Sequence, residues 1–86
     1  MKFTILKMSN TEIELSLDEK DTTLTELIAE KLNQYDNVEF AAAKIEHPLI
    51  DSPKLYLKVN KGDALKTLKK CLEDIKKEIK EIRDAI

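Results

Sequence analysis

The chain has 86 residues, enough for one small domain, and carries 15 Lys and Arg against 17 Asp and Glu for a net charge of −2. That balance excludes a dominant basic field of the kind that collects nucleic acid. A single Cys71 excludes an internal disulfide, and one Cys with one His cannot supply a four-ligand zinc site.

At this size a core supplies limited stability, and sharing a core with a partner is a common remedy. The hydrophobic fraction of 42% is enough to fold, and no apolar run approaches the roughly 18 residues that span a bilayer. Met1-Lys2-Phe3-Thr4 leads directly into a strand pattern with no signal-peptide character. A soluble, cytoplasmic protein with no membrane contact and no cofactor is expected.

Lys2 to Met8 is short and β-rich, with Phe3 and Ile5 directed one way and Leu6 and Met8 the other, which predicts a strand buried on both faces. Ser9-Asn10 signals a two-residue turn. From Thr11 to Leu17 the chain alternates, with Ile13, Leu15 and Leu17 inward and Glu12, Glu14 and Ser16 outward. These two strands predict an antiparallel hairpin. Asp18, Glu19, Lys20 and Asp21 form an acidic break, read as a solvated loop.

Thr22 and Thr23 are N-cap candidates, and Thr23 with Glu26 matches a capping box. The helix that follows predicts one face of Leu24, Leu27, Ile28, Leu32 and Tyr35, ending at Asp36-Asn37. Val38 to Ile45 reads as a strand with Val38 and Phe40 on one face and Ala41, Ala43 and Ile45 on the other. The small alanines would let a helix or a partner approach closely. His47-Pro48 and Asp51-Ser52-Pro53 are breaks. Leu55, Leu57 and Val59 then alternate with Tyr56 and Lys58 as a fourth strand, and Asn60-Lys61-Gly62 forms a turn before Asp63 caps the last helix. The order ββαββα predicts an α+β fold over residues 1–86: a four-stranded antiparallel sheet with two helices on one face.

The final helix, Asp63 to Ile86, has a narrow apolar seam. Leu65, Leu68, Leu72, Ile75, Ile79, Ile82 and Ile86 occupy successive a and d positions of three heptads. At ~1.5 Å per residue the helix is roughly 35 Å long, whereas five or six residues of strand cover only ~20 Å. Part of the seam therefore requires a second chain. The e positions Lys69, Lys76 and Arg83 are basic and the g positions Ala64, Cys71, Glu78 and Ala85 are mostly small, so self-pairing in an antiparallel sense would set like charges together. A different chain offering acids, or apolar residues over the small g edge, fits better. Pairs such as Lys69–Glu73 and Lys77–Glu81 are expected on the solvated face. His47 reads as a turn residue and Cys71 as an inert, half-buried apolar one; neither has partners for catalysis or metal binding.

Asp21-Thr22-Thr23-Leu24, Asn37-Val38-Glu39-Phe40-Ala41-Ala42 and His47-Pro48-Leu49, followed by a strand and a long amphipathic helix, stand in an order that resembles the small alpha-like subunits of multisubunit DNA-directed RNA polymerases, the subunit L family of the archaeal enzyme. The family motif positions are Asp21, Thr23, Leu24, Val38, Phe40, Ala41, His47, Pro48 and Leu49. The chain departs from the family pattern at Thr22, at Thr25-Glu26 and, within Ala41 to Ala43, at Ala42 and Ala43. The resemblance implies a non-catalytic assembly subunit of a nucleotidyltransferase. Such a subunit pairs with the larger alpha-like RNA polymerase subunit, and the heterodimer then holds the large catalytic subunits. No direct nucleic-acid contact is implied. The residues expected at the partner interface are Leu65, Leu68, Leu72, Ile75, Ile79, Ile82 and Ile86, with Phe40. A self-associating α+β module of unrelated role is the alternative.

Overall fold

In a computed structural model, which describes residues 3–17, 23–44 and 52–86, alternating hydrophobicity and turn chemistry produce six elements. These are β1 (Phe3–Met8), β2 (Glu12–Leu17), α1 (Thr23–Leu32), β3 (Val38–Lys44), β4 (Lys54–Val59) and α2 (Ala64–Ala85). Asp21, Thr22, Ile45, His47, Pro48 and Leu49, and with them the acidic loop and the first break, lie outside the described residues. The four strands form one antiparallel sheet in the order β1-β2-β4-β3. The two central strands are the ones whose patterns alternate cleanly. Ile13, Leu15 and Leu17 of β2 and Leu55, Leu57 and Val59 of β4 are all buried on one face.

Both helices pack on that face, α1 against β3 and β4 and α2 against β4 and β2. The buried side of α1 is Thr25, Ile28, Ala29 and Leu32, while Leu27 is 46% exposed. The expected stripe is thus rotated: close contact with the sheet and α2 selects the small Thr25 and Ala29 over Leu27. The helix itself begins at Thr23. After Leu32 the chain tightens through Tyr35 N–H donating to Leu32 C=O at 3.1 Å. Tyr35, though past the helix, still packs on the core.

The hairpin closes with Ser9 N–H donating to Glu12 C=O at 2.8 Å and Glu12 N–H donating to Ser9 Oγ at 3.1 Å. Its tip is fastened to the start of α2, where Ala64 N–H donates to Asn10 C=O at 2.8 Å. Asp63 caps α2 as expected, its carboxylate accepting from Leu65 N–H at 2.9 Å and Lys66 N–H at 3.2 Å. Gly62 takes φ +86° to turn the chain into that cap, a left-handed conformation that a side chain disfavours.

Two irregularities decide which side chains face the helices. A register shift between Val38 and Phe40 places Val38 opposite Val59 but Phe40 opposite Lys58. Val38 therefore shares the core face with Ala41 and Ala43, and Phe40 is turned to the helix-free face. The expected pairing of Val38 with Phe40 on one face is undone by one extra residue, since side chains alternate with period two. The second shift, between Ile5 and Lys7, sets Phe3, Ile5 and Met8 opposite Leu17, Leu15 and Ile13. All three thus point to the helix side, with Leu6 unpaired. All six residues of β1 are exposed rather than buried on both faces, because β1 is an edge strand that neither helix covers.

Candidate functional site

The seam of α2 divides by depth. Ala64, Thr67, Leu68, Cys71 and Ile75 are buried, Leu65 and Leu72 are half-buried, and every residue from Lys76 to Ile86 is exposed. Ile79, Ile82 and Ile86 are 59%, 63% and 101% exposed. The helix runs ten residues past its last buried side chain, Ile75, roughly 15 Å. The small g edge does not await a second chain: Ala64 and Cys71 face the chain's own core. Cys71 Sγ lies 3.9 Å from Ile28 C=O, and the small side chain admits α1. Cys71 is fully buried rather than half-buried. Burial pushes its thiol up to about 11, which removes the thiolate that reactivity requires.

The a edge of α2 borders bare β1. Phe3, Leu24, Ile28, Leu72, Ile75, Lys76 and Ile79 line an apolar groove of about 320 Å³. A second depression, lined by Met8, Asn10 and Leu65 among others, continues the path toward the hairpin tip. Phe3, Ile5, Met8, Leu65, Leu72 and Ile79 therefore form one open apolar face, extended by Ile82 and Ile86. Leaving a Leu or Ile side chain in water forgoes roughly 1.5–3 kcal/mol, and single soluble chains rarely expose contiguous patches of this kind. The contribution of β1 was hidden in the sequence. A strand apolar on both faces ordinarily signals the sheet interior, and the sheet order alone shows that it lies at the edge.

Polar chemistry fixes α1 against α2 and takes up two acids of the long helix, Asp74 and Glu78. Tyr35 OH donates to Asp74 Oδ2 at 2.5 Å. Burial first, then this bond, raises the phenol above its usual range. Lys31 pairs with Glu78, which raises the lysine, and Lys70 sits 5.5 Å from the Tyr35 ring centroid. The expected pairs Lys69–Glu73 and Lys77–Glu81 do not close among the described residues. Water solvates such exposed groups about as well as the pair would.

Phe40 is 51% exposed on the helix-free face, its ring centroid 5.9 Å from that of Tyr56. Around it Tyr56 OH donates to Glu12 Oε1 at 3.0 Å, and Lys58 lies 3.4 Å from Glu39 and 3.8 Å from Glu12. Phe40 and the seam of α2 therefore occupy opposite sides of the sheet. Of the other motif residues, Thr23 opens α1, Leu24 borders the groove, Val38 packs on the core and Ala41 is buried within it. No group of three or more His, Cys, Asp or Glu side chains among the described residues is placed to hold a metal ion, and no described helix is long and apolar enough to cross a membrane.

Residues 12–85 match the RNA polymerase Rpb3/Rpb11 dimerisation domain. The chain belongs to that family. Similar proteins include the DNA-directed RNA polymerase subunit Rpo11 of Methanococcus maripaludis, 39% identical over 80 residues and covering 83% of each chain. The Pyrococcus abyssi subunit of the same name is 34% identical over 89 residues, covering 99% of this chain and 93% of its own. The fold matches the crystal structure of RNA polymerase subunit L from Thermoplasma acidophilum with a TM-score of 0.85, at 22% identity and covering 98% of this chain and 83% of that one. The Rpb3/Rpb11 match spans the hairpin's second strand through the end of α2, so it includes nearly all of the exposed part of the seam.

Proposed function

We propose that this member of the Rpb3/Rpb11 family is the small alpha-like subunit, subunit L or Rpo11, of an archaeal-type DNA-directed RNA polymerase. It pairs with the larger alpha-like subunit of that enzyme, and the heterodimer carries the large catalytic subunits. The observation that supports this reading best is the open apolar face, on a chain that belongs to a dimerisation family. The interface is built from Leu65, Leu72, Ile79, Ile82 and Ile86 of α2 with Phe3, Ile5 and Met8 of β1. Leu68 and Ile75, turned into the chain's own core, support the helix from beneath. Phe40 lies outside this surface. The chain's own role is assembly, and polymerisation chemistry belongs to the large subunits.

Co-expression with the larger alpha-like subunit is expected to give a stable 1:1 complex. Ile79→Asp, which sets a charge in the middle of the exposed seam, is expected to abolish that complex while circular dichroism remains that of a folded chain. A chain that stays monomeric alone and ignores the larger subunit would overturn the reading. A stable self-paired dimer indifferent to the larger subunit would favour a self-associating module instead.

A further inference from the structure

The charges beside the open seam are unevenly used. On the α1 side of α2, Asp74 and Glu78 are taken up by Tyr35 and Lys31. On the opposite edge, the successive helix positions Lys69, Lys76, Lys80 and Arg83 border the exposed stripe, and Ile79 sits in a notch lined by Lys76, Lys80 and Arg83. Lys69, Lys76 and Lys80 have no ion-pair partner among the described residues, and Arg83 has only its sequence neighbour Asp84, at 3.6 Å from Nε to Oδ1. The chain as a whole is slightly acidic, at −2, so this positive edge is a local arrangement. Internal pairing takes up Asp74 and Glu78 and leaves Lys76, Lys80 and Arg83 beside the exposed half of the surface that must be covered.

We propose that the helix covering the exposed half of α2 is amphipathic with a row of acidic residues along the edge facing Lys76, Lys80 and Arg83. This charge match, superimposed on the shared apolar seam, selects that partner over a second copy of this chain. The inference rests on the subunit reading above and adds the chemistry of the partner's surface. Apolar burial supplies affinity without discriminating among amphipathic helices, whereas charges at the rim set the choice of partner and the association rate. A second copy would present cations to cations.

The test measures dissociation constants for the complex with the larger alpha-like subunit of the same organism. The triple variant K76E/K80E/R83E is compared with a control, K54E/K61E/K77E, that makes the same change in net charge away from the seam edge. The edge variant is expected to bind at least tenfold more weakly at about 0.05 M NaCl, with the control within about twofold of the unmodified chain. Binding of the unmodified chain is expected to weaken about fivefold or more between 0.05 and 0.5 M NaCl, as screening shortens the range of the charges. If the complex forms but the edge variant binds as tightly as the unmodified chain, or no more weakly than the control, the charge match is overturned and the subunit reading stands. If the unmodified chain forms no complex with the larger subunit, the subunit reading fails and the inference falls with it.

Discussion

Asn33 shows how a single side chain can do the work of a strand. Its amide Nδ2 donates to Ala41 C=O at 2.8 Å, and its Oδ1 accepts from Ala41 N–H at 3.0 Å. The end of α1 thereby satisfies the outer edge of β3 at its most buried residue, which also explains why that residue is small. Asn33→Ala removes both bonds and is expected to lower stability by about 1–2 kcal/mol, measured by urea unfolding. Cys71 offers a pH-dependent counterpart. Its thiol, held near 11 when folded against an ordinary value of 9.0, is protonated in both states below about pH 9. Above that the unfolded chain releases the proton first, so stability is lost as pH rises from 9 toward 11, at no more than about 1.4 kcal/mol per unit. The melting temperature is expected to fall between pH 9 and 10 in the natural chain and to stay flatter in Cys71→Ala. Above pH 10 Tyr35 and Tyr56, both raised chiefly by burial, add to the fall in both proteins. The core positions Ile13, Leu15, Leu17, Leu55, Leu57 and Val59 were legible because a period of two assigns them to one face. The Asn33 bridge was not, because its partner is eight residues away on another element.

Among the elements, α2 was the most legible and the most unevenly supported. Its heptad pattern and Asp63 cap read directly from the chain, but the pattern alone treats all seven seam residues alike. Packing separates them: residues to Ile75 rest on the sheet, and those beyond it lie exposed. Short helices without tertiary contacts are marginal. In the isolated chain, amides of residues 76–86 are therefore expected to exchange with deuterium far faster than those of 64–75, and to become protected when the larger subunit is added. Equal protection of both halves in the isolated chain would contradict this. The strands show the complementary limit. β1 and β3 each carry one register shift, and a shift depends on the partner strand, which no local pattern describes. For that reason a strict period of two sets Phe40 beside Val38, whereas the sheet turns them to opposite faces.

For the whole molecule, the order β1-β2-β4-β3 sets the distribution of surfaces. Two helices on one side of four strands cover three of them, and the fourth, β1, is left bare beside the a edge of α2. The helix-free side carries Tyr56, Lys58, Glu12, Glu39 and Phe40 in a network of bonds and ion pairs that water can complete. These two faces make opposite expectations. Phe40→Ser is expected to leave the affinity for the larger subunit within about twofold and to cost about 0.5–1.5 kcal/mol of stability through loss of the ring contact with Tyr56, whereas Ile79→Asp abolishes the pairing.

The sequence by itself determined the element order, the α+β class, the inward faces of β2 and β4, the capped final helix and a seam too long for its sheet. Through its motifs it also pointed to the family. Each of these follows from local periodicity, from turn and cap chemistry, or from length, which a chain carries whatever its neighbours are. Only the tertiary structure decided that the small edge of α2 is filled by α1, that β1 joins the open face, that Phe40 leaves it, and that Asp74 and Glu78 are spent internally while Lys76 and Lys80 are not. Those outcomes depend on which elements lie side by side, and adjacency is a property of the packed molecule.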